Sequence, residues 1–98
     1  ASCGLSLDDL EIECADGPPA ELGPSESFSV GIDVTWNGTT QFPTVTFNPV
    51  VGDVSLGNED RTVGGRGGGV QRFDMFVPDQ IEIGDNPEVA VRAIGVEP

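Results

Sequence analysis

Residues that could do acid–base or nucleophilic chemistry are few in this chain, apart from its carboxylates. The 98 residues include 17 Asp and Glu, 4 Arg, and neither His nor Lys. A Ser or Cys nucleophile therefore lacks its usual activating partners. Carboxylate pairs such as Asp8/Asp9 and Glu11/Glu13 could act as an acid and a base, but a chain this acidic produces such pairs by composition alone. The sequence predicts no catalytic residues and no enzyme.

Side-chain oxygens make calcium the metal that this chain could hold. Zinc is not expected, because there is no His and no Cys-x-x-Cys motif. Calcium takes about six to eight oxygen ligands, and two segments are rich in them, 58–60 and 79–86. In the second segment the candidate ligands are Asp79, Glu82 and Asp85. Neither segment has the spacing of a calcium loop, so a solvated acidic edge is the alternative, and otherwise we expect no cofactor.

The two cysteines, Cys3 and Cys14, leave three alternatives open. A disulfide between them is the structural default in an oxidising compartment. The segment Ala1-Ser2-Cys3-Gly4 also resembles the end of a lipoprotein signal, in which the Cys becomes lipidated. In the third alternative the thiols are free or pair between chains.

The charge balance narrows the possible partners. The formal net charge is −13. Nucleic acid and anionic membrane surfaces are not expected partners, because both are bound by clustered Lys and Arg. Direct membrane insertion is not expected either, because no apolar run of about 18 residues is present. A Lys-free, acidic composition is typical of halophile proteins, and an ordinary acidic secreted domain is the alternative. Since salt screens self-repulsion, we predict that folding needs molar salt.

The clearest structural pattern lies at 28–36. Every even position from Phe28 to Trp36 is apolar and every odd position is polar or Gly, as in a strand with one buried face. Shorter patterns between Gly and Pro residues predict further strands, at 10–14, 44–47, 50–51, 54–56, 70–77 and 88–94, with a bend at Pro49 and a polar loop at 57–61. No segment has helical periodicity. The sequence predicts one all-β domain over 1–98, an antiparallel β-sandwich of about seven strands.

The Asn37-Gly38 pair that follows this strand suggests a tight hairpin, but register argues against it. A two-residue turn would place Gln41 opposite Val34 and so bury polar residues. Two alternatives keep the apolar faces together. Either a four-residue loop pairs Ile32 with Val45, or the chain crosses to a second sheet, as in immunoglobulin-type sandwiches.

The same loop holds a candidate modification site. Asn37-Gly38-Thr39 is an N-glycosylation sequon, and a turn-forming role for Asn37 is the alternative. The preceding Trp36, the only Trp of the chain, is predicted to cap the core. An exposed Trp36 would instead suit stacking on a carbohydrate.

A longer stretch carries a family resemblance. Residues 23–38, Gly-Pro-Ser-Glu-Ser-Phe-Ser-Val-Gly-Ile-Asp-Val-Thr-Trp-Asn-Gly, resemble the opening pattern G-x-S-x-x-V-x-V-x-V-x-N-x-G of immunoglobulin-like surface modules. The most similar type is the CARDB-like, cell-adhesion-related domains of bacteria and archaea, and residues 87–93 resemble their closing strand. The resemblance implies a non-enzymatic, extracellular module arranged in larger surface proteins.

Together these patterns predict a structural and interaction protein at the surface of a halophilic, archaeal-type cell, whose protein partners are further copies of itself or other surface-protein domains. In one version it is a filament or pilus subunit assembled by strand exchange. The N-terminal segment 1–15 is then the donor strand, with four apolar side chains at the interface: Leu5, Leu7, Leu10 and Ile12. Two alternatives are a calcium- or carbohydrate-binding adhesion module and a capsid or spike domain of a halophilic virus.

Overall fold

The computed structural model describes residues 3–7, 9–39, 42–63, 69–81 and 87–97, which form strands, turns and loops without any helix. The eight strands are β1 (Gly4–Leu5), β2 (Leu10–Asp16), β3 (Ser27–Trp36), β4 (Thr44–Val51), β5 (Val54–Ser55), β6 (Glu59–Thr62), β7 (Gly69–Phe76) and β8 (Val89–Glu97). The predicted all-β class is confirmed. Since the described part of the chain has no helix, it also has none long and apolar enough to cross a membrane.

The strands form two sheets. One has the order β1-β8-β4-β5, with β6 also paired to β4, and the other has the order β2-β3-β7. We call the first the mixed sheet, because β1 runs parallel to β8 whereas β4 is antiparallel to β5, β6 and β8. The second, the antiparallel sheet, has only antiparallel neighbours. The prediction that all strands would be antiparallel is therefore wrong for β1.

After β3 the chain crosses from the antiparallel sheet to the mixed sheet. The predicted crossover is confirmed, and the four-residue hairpin is wrong. Ile32 of β3 lies opposite Cys14 of β2, whereas Val45 of β4 lies opposite Arg61 of β6. The amide of Asn37 donates to the carbonyl of Asp9 at 2.7 Å, which holds the end of β3 beside the start of β2.

One hydrophobic core takes side chains from both sheets. The rings of Phe47 on β4 and Phe73 on β7 meet edge to face, with centroids 5.2 Å apart, and both are fully buried. The alternating residues on β3, β7 and β8 point into this core, as the period-two patterns predicted: Val30, Ile32, Val34, Phe73, Met75, Val89, Val91 and Ala93. The core is thus built from one face of each long strand.

Pro49 lies inside β4, so the predicted bend there is wrong. β5 pairs with Val50 and Val51, and β6 pairs with positions 44–47, which leaves a break in the pairing at Pro49. The Pro49 carbonyl accepts the amide of Leu56 at 2.9 Å. Because the N and C=O of one strand residue point to the same side, the missing N–H of Pro49 falls in this break, where it costs no ladder bond.

Residues 57–61 are not wholly the polar loop that was predicted, because Glu59–Thr62 is strand β6. Arg61 of this strand lies over the ring of Phe73, 4.2 Å from its centroid, and bonds to Glu59 at 2.6 Å. The guanidinium therefore joins the mixed sheet to the antiparallel sheet along one side of the core.

The opposite side of the core is joined by a disulfide. Cys3 and Cys14 are bonded, with their Cα atoms 5.1 Å apart, so this alternative is confirmed. No thiol remains on Cys3 for lipidation. Gly4 of β1 packs so closely on Ile12 of β2 that a Cβ atom would overlap the Ile12 Cγ2 atom. The disulfide and this contact hold β1 of the mixed sheet against β2 of the antiparallel sheet.

Candidate functional site

Carboxylates line the outer face of the antiparallel sheet. Since the apolar side chains of its strands point into the core, the alternate positions face solvent. We call this surface the acidic face, and its carboxylates are Glu11, Glu13, Asp16, Asp33 and Asp74, all exposed. Glu13 lies directly opposite Asp33 in the β2–β3 ladder, and like charges in this position repel each other.

One basic residue lies within the acidic face. Arg72 of β7 bonds to Asp16 at 2.9 Å, and both side chains are more than half exposed. An exposed pair of this kind stabilises by about 1 kcal/mol at most. The acidic face therefore remains a strongly anionic, hydrated surface, which suits concentrated salt and does not suit an anionic ligand.

The predicted calcium ligands are only partly described. Asp79 is exposed, and its Oδ1 atom accepts a hydrogen bond from the Ser25 hydroxyl at 3.1 Å. Glu82 and Asp85 lie outside the described residues. Within the described ranges, no three or more His, Cys, Asp or Glu side chains come together as a metal site. Asp79, the one predicted ligand that the structure describes, therefore gives no geometric support to a calcium site.

The sequon loop places Asn37 and Thr39 at the surface, both exposed. Between them, Gly38 packs against the indole of Trp36, and a Cβ atom at Gly38 would overlap that ring. Trp36 is half buried and packs against the core, as predicted. Its ring is therefore covered partly by the core and partly by the loop, which leaves less of a platform for a sugar.

The four predicted interface side chains have different surroundings. Leu10 and Ile12 are 1% and 6% exposed and belong to this chain's own core, and Leu7 is half buried against it. Only Leu5 is largely exposed, at 50%. Leu10 and Ile12 lie opposite Trp36 and Val34 of β3, so strand exchange would have to withdraw them from that pairing.

Among the described residues, five large apolar side chains are exposed. These are Leu5, Phe42, Val70, Phe76 and Ile94. The pattern did place Phe76 on the face of β7 opposite to Phe73 and Met75. The alternation that points Val89, Val91 and Ala93 inward likewise places Ile94 outward, and a bulge in the β8–β4 pairing leaves Ile94 as the extra residue.

A buried polar side chain organises the mixed sheet. Asn48 is 5% exposed, and its amide nitrogen donates to Ser55 Oγ at 2.6 Å and to Asn58 Oδ1 at 2.9 Å. Its Oδ1 atom accepts from Arg92 Nη2 at 2.9 Å. Asn48 thus bridges the break between β5 and β6 and fixes the Arg92 guanidinium on the outer face of β8. The sequence gives no signal for this network, since its members lie far apart in the chain.

We expect Asn48→Ala to lower the free energy of unfolding by about 1–3 kcal/mol, because it leaves buried hydrogen-bonding groups unpaired. Asn58→Ala is the matched control, since Asn58 is exposed and loses one bond to Asn48. Urea unfolding at constant salt measures both variants. Equal losses in the two variants would contradict the central role of Asn48.

An open groove of about 450 Å³ lies beside the start of β3 and the end of β7. Its lining residues are Ser27, Phe28, Ser29, Asp74, Met75 and Phe76. Its one charged lining residue is Asp74, which lies opposite Ser29 in the β3–β7 ladder, and the lining has no His or Lys of the kind that usually activates a hydroxyl.

A comparison of the chain with models of protein families found no match. Searches of curated proteins and of solved structures found none either. The resemblance to CARDB-like domains therefore rests on the sequence pattern and stays a prediction.

Proposed function

We propose that this chain is a non-enzymatic structural and interaction module in an extracellular surface assembly of a halophilic, archaeal-type cell. The observation that carries the proposal is the acidic face, on which Glu13 directly opposes Asp33 while Arg72 offsets only Asp16. Such a surface destabilises the fold in dilute buffer, and salt relieves this repulsion. It is therefore a surface adapted to a concentrated salt medium.

The fold of this module is, in the proposal, an immunoglobulin-like β-sandwich. Three features support it. Two sheets share one core, and the chain crosses from one sheet to the other between β3 and β4. In addition, β5 and β6 pair with successive parts of the same edge of β4, with a break between them. Counted as two parts of one strand, β5 and β6 reduce the total to the seven strands typical of such sandwiches.

The disulfide supports the extracellular location. Disulfides form and persist in oxidising compartments and are rare in the cytosol of mesophiles. Cys3 is 2% exposed and Cys14 is half buried, so the bond lies at the edge of the core. Its place between β1 and β2 suits a structural bond that holds the two sheets together.

Exposed apolar side chains support a role in protein contacts. Leu5 and Ile94 on the mixed sheet and Val70 on the antiparallel sheet are each about half exposed. The filament version of the proposal uses such contacts between copies. Exchange of β1 and β2 between subunits is one form of it, and it fails if residues 15–98 alone fold as a stable monomer and the whole chain never assembles.

Surface labelling of intact source cells at their growth salinity tests the proposal. We expect an antibody against this chain to label intact cells, and external protease to remove the signal. A cytosolic reference protein is the control and should stay protected. Signal that appears only after lysis would overturn the proposal. Electron microscopy of the purified chain in molar NaCl then separates a filament from a particle and from a monomer.

The sequon makes a separate prediction within the proposed location. Because Asn37 and Thr39 are exposed, we expect Asn37 in protein purified from source cells to carry a glycan. The mass of the proteolytic peptide that contains Asn37 should exceed its sequence mass by the mass of a sugar chain. Thr39→Ala should remove the added mass, and Thr62→Ala, exposed and outside any sequon, should not. An unmodified Asn37 would contradict the prediction.

A further inference from the structure

β7 is an edge strand of the antiparallel sheet. It comes last in the order β2-β3-β7, and among the described strands it pairs with β3 alone. Val77, the residue after β7, donates its amide to the Glu26 carbonyl on the β3 side at 3.0 Å. Because the backbone groups of successive strand residues point to opposite sides, the even-numbered residues of β7 direct their N–H and C=O groups away from β3: Val70, Arg72, Asp74 and Phe76.

The same four residues carry the side chains that face solvent. All four are exposed, with Val70 at 56% and Phe76 at 49%. In chain order they are apolar, basic, acidic and apolar. When the order is reversed, each apolar residue meets an apolar one and each charge meets its opposite. Neighbouring antiparallel strands run in reversed order, so the outward face of β7 is complementary to a second copy of itself.

We propose that two copies of this chain join by antiparallel pairing of their β7 strands about a twofold axis beside Phe73. This register places Arg72 of each copy opposite Asp74 of the other, and Val70 opposite Phe76. All of these pairs are of the hydrogen-bonded kind, because all four residues direct their backbone groups to the shared edge. The two antiparallel sheets then form one sheet of six strands, three from each copy.

The proposed register also matches the inner face of the sheet. Phe73 lies opposite its own copy, and the half-buried Gln71 lies opposite the buried Met75, so inward-facing residues meet inward-facing residues. A shift of the axis to Arg72 or to Asp74 would oppose two like charges. The charges and the apolar side chains therefore select this register over its neighbours.

The ion pairs already present at this edge are compatible with the pairing. Arg72 bonds to Asp16 of β2, but an exposed pair of this kind is weak, and a guanidinium has five N–H donors. It can therefore bind the Asp74 carboxylate of a second copy as well. Asp74 itself has no basic partner among the described residues. On the inner side of the sheet, Arg61 is bonded to Glu59 and brings no unpaired charge to the contact.

The other described edge strands lack this complementarity. Twofold pairing of β2 about Ile12 would oppose Glu11 to Glu13, and pairing of β6 about Asp60 would oppose that carboxylate to itself. β1 and β5 have two residues each and are too short to direct a pairing. This inference deepens the proposed function, on which its biological role rests, and it names the partner as a second copy of this chain.

The first test compares matched variants by sedimentation equilibrium in molar NaCl, at protein concentrations up to about 1 mM because so short a pairing is at the weak end of interfaces. Phe76→Lys places a charge opposite Val70 on the shared edge and should weaken the dimer at least about tenfold. Ile94→Lys makes an equivalent change at a residue of the mixed sheet with the same exposure, 49%, and should leave the dimer unchanged. Circular dichroism checks that both variants are folded.

The second test uses the self-complementary charges, at the lowest NaCl concentration that keeps the chain folded, because salt weakens ion pairs. Arg72→Asp and Asp74→Arg should each weaken self-association by roughly tenfold, since each replaces two attractive pairs with two repulsive ones. An equimolar mixture should dimerise again, because each mixed pair combines Arg with Asp. A loss of structure in either variant would not be rescued by mixing, so a failed rescue contradicts the register.

The third test reads the shared edge directly by amide hydrogen exchange. The amides of Arg72 and Asp74 should exchange more slowly at the highest protein concentration than in dilute solution, because they gain partners only in the dimer. The amide of Phe73 faces β3 in the single chain and should change little. Slowing at Phe73 without slowing at its two neighbours would contradict the pairing.

The outcomes separate this inference from the proposed function. A wild-type chain that stays monomeric at the highest concentration overturns the β7 pairing. A dimer that Phe76→Lys leaves intact, or that Ile94→Lys weakens equally, overturns it as well. None of these results bears on whether intact cells carry the chain at their surface. Conversely, a cytosolic location would overturn the proposed function and leave the measured dimer in place.

Discussion

At an ionic strength of about 0.01 M we expect this chain to be unfolded, and we expect it to fold cooperatively as NaCl is raised to about 1 M. The physical reason is the net charge of −13 on a fold with principal extents of 45, 20 and 18 Å. The Debye length is about 30 Å at 0.01 M and about 3 Å at 1 M. In dilute salt each carboxylate therefore repels others across the whole thickness of the molecule, whereas in molar salt it senses only its neighbours.

Urea unfolding across a series of NaCl concentrations measures this effect, because urea adds no charge of its own. The midpoint in urea should rise steeply with salt. An unfolding transition in dilute buffer that matches the one in molar salt would contradict the prediction and the halophilic proposal together.

The positions of the charges add a local repulsion to the effect of the net charge, and substitutions can separate the two. Asp33→Asn removes the charge opposite Glu13 and should stabilise the chain by about 0.2–1 kcal/mol in the lowest salt at which the chain is folded, the usual size of a cross-strand effect. Glu21→Gln changes the net charge equally at an exposed bend, outside the strands. A larger gain for Asp33→Asn is expected, and the difference should disappear in molar salt. Equal gains would mean that net charge alone decides.

The second large effect is expected from loss of the disulfide. The double variant Cys3→Ala/Cys14→Ala should lower the free energy of unfolding by about 3 kcal/mol, since the closed loop is short. Against a total stability of about 5–15 kcal/mol, this is a large fraction. Urea unfolding in molar salt measures it, and the reduced wild-type chain should lose the same amount. A loss below about 0.5 kcal/mol in both would contradict the structural role of the bond.

The part of the fold that should open when the disulfide is lost is predicted as well. The Cys3 carbonyl accepts the amide of Val91 at 2.9 Å, so β1 should separate from β8 when the tether to β2 is cut. Amide hydrogen exchange should therefore accelerate more at Val91 than at Val63, whose amide bonds to Pro43 on the other side of the mixed sheet. Uniform acceleration at both amides would show that the bond stabilises only globally.

Strand positions were predictable wherever one face is buried. The alternation at 28–36 and at 70–77 identified β3 and β7 and the residues that they bury, because the core requires an apolar side chain at every second position. β6 was not predictable in this way. Its sequence, Glu-Asp-Arg-Thr, buries no apolar side chain, so an edge strand of this kind carries no periodic signal.

Some candidate sites could likewise be predicted from the sequence, and others could not. The sequon and the two cysteines are local patterns, and each was recognisable from residue types alone. The Asn48–Arg92 pair joins residues that are 44 positions apart, and the opposition of Glu13 to Asp33 depends on the register of β2 on β3. No pattern within one segment reports on such pairs.

The sequence by itself determined the all-β class, the buried face of each long strand, the anionic character and the available covalent pairing. Only the tertiary structure decided that β4 joins the other sheet, that β1 runs parallel to β8, and that Asn48 bonds to Arg92. The physical reason is that side-chain periodicity records whether a residue is buried, whereas the choice of a neighbouring strand depends on how both sheets together cover one core.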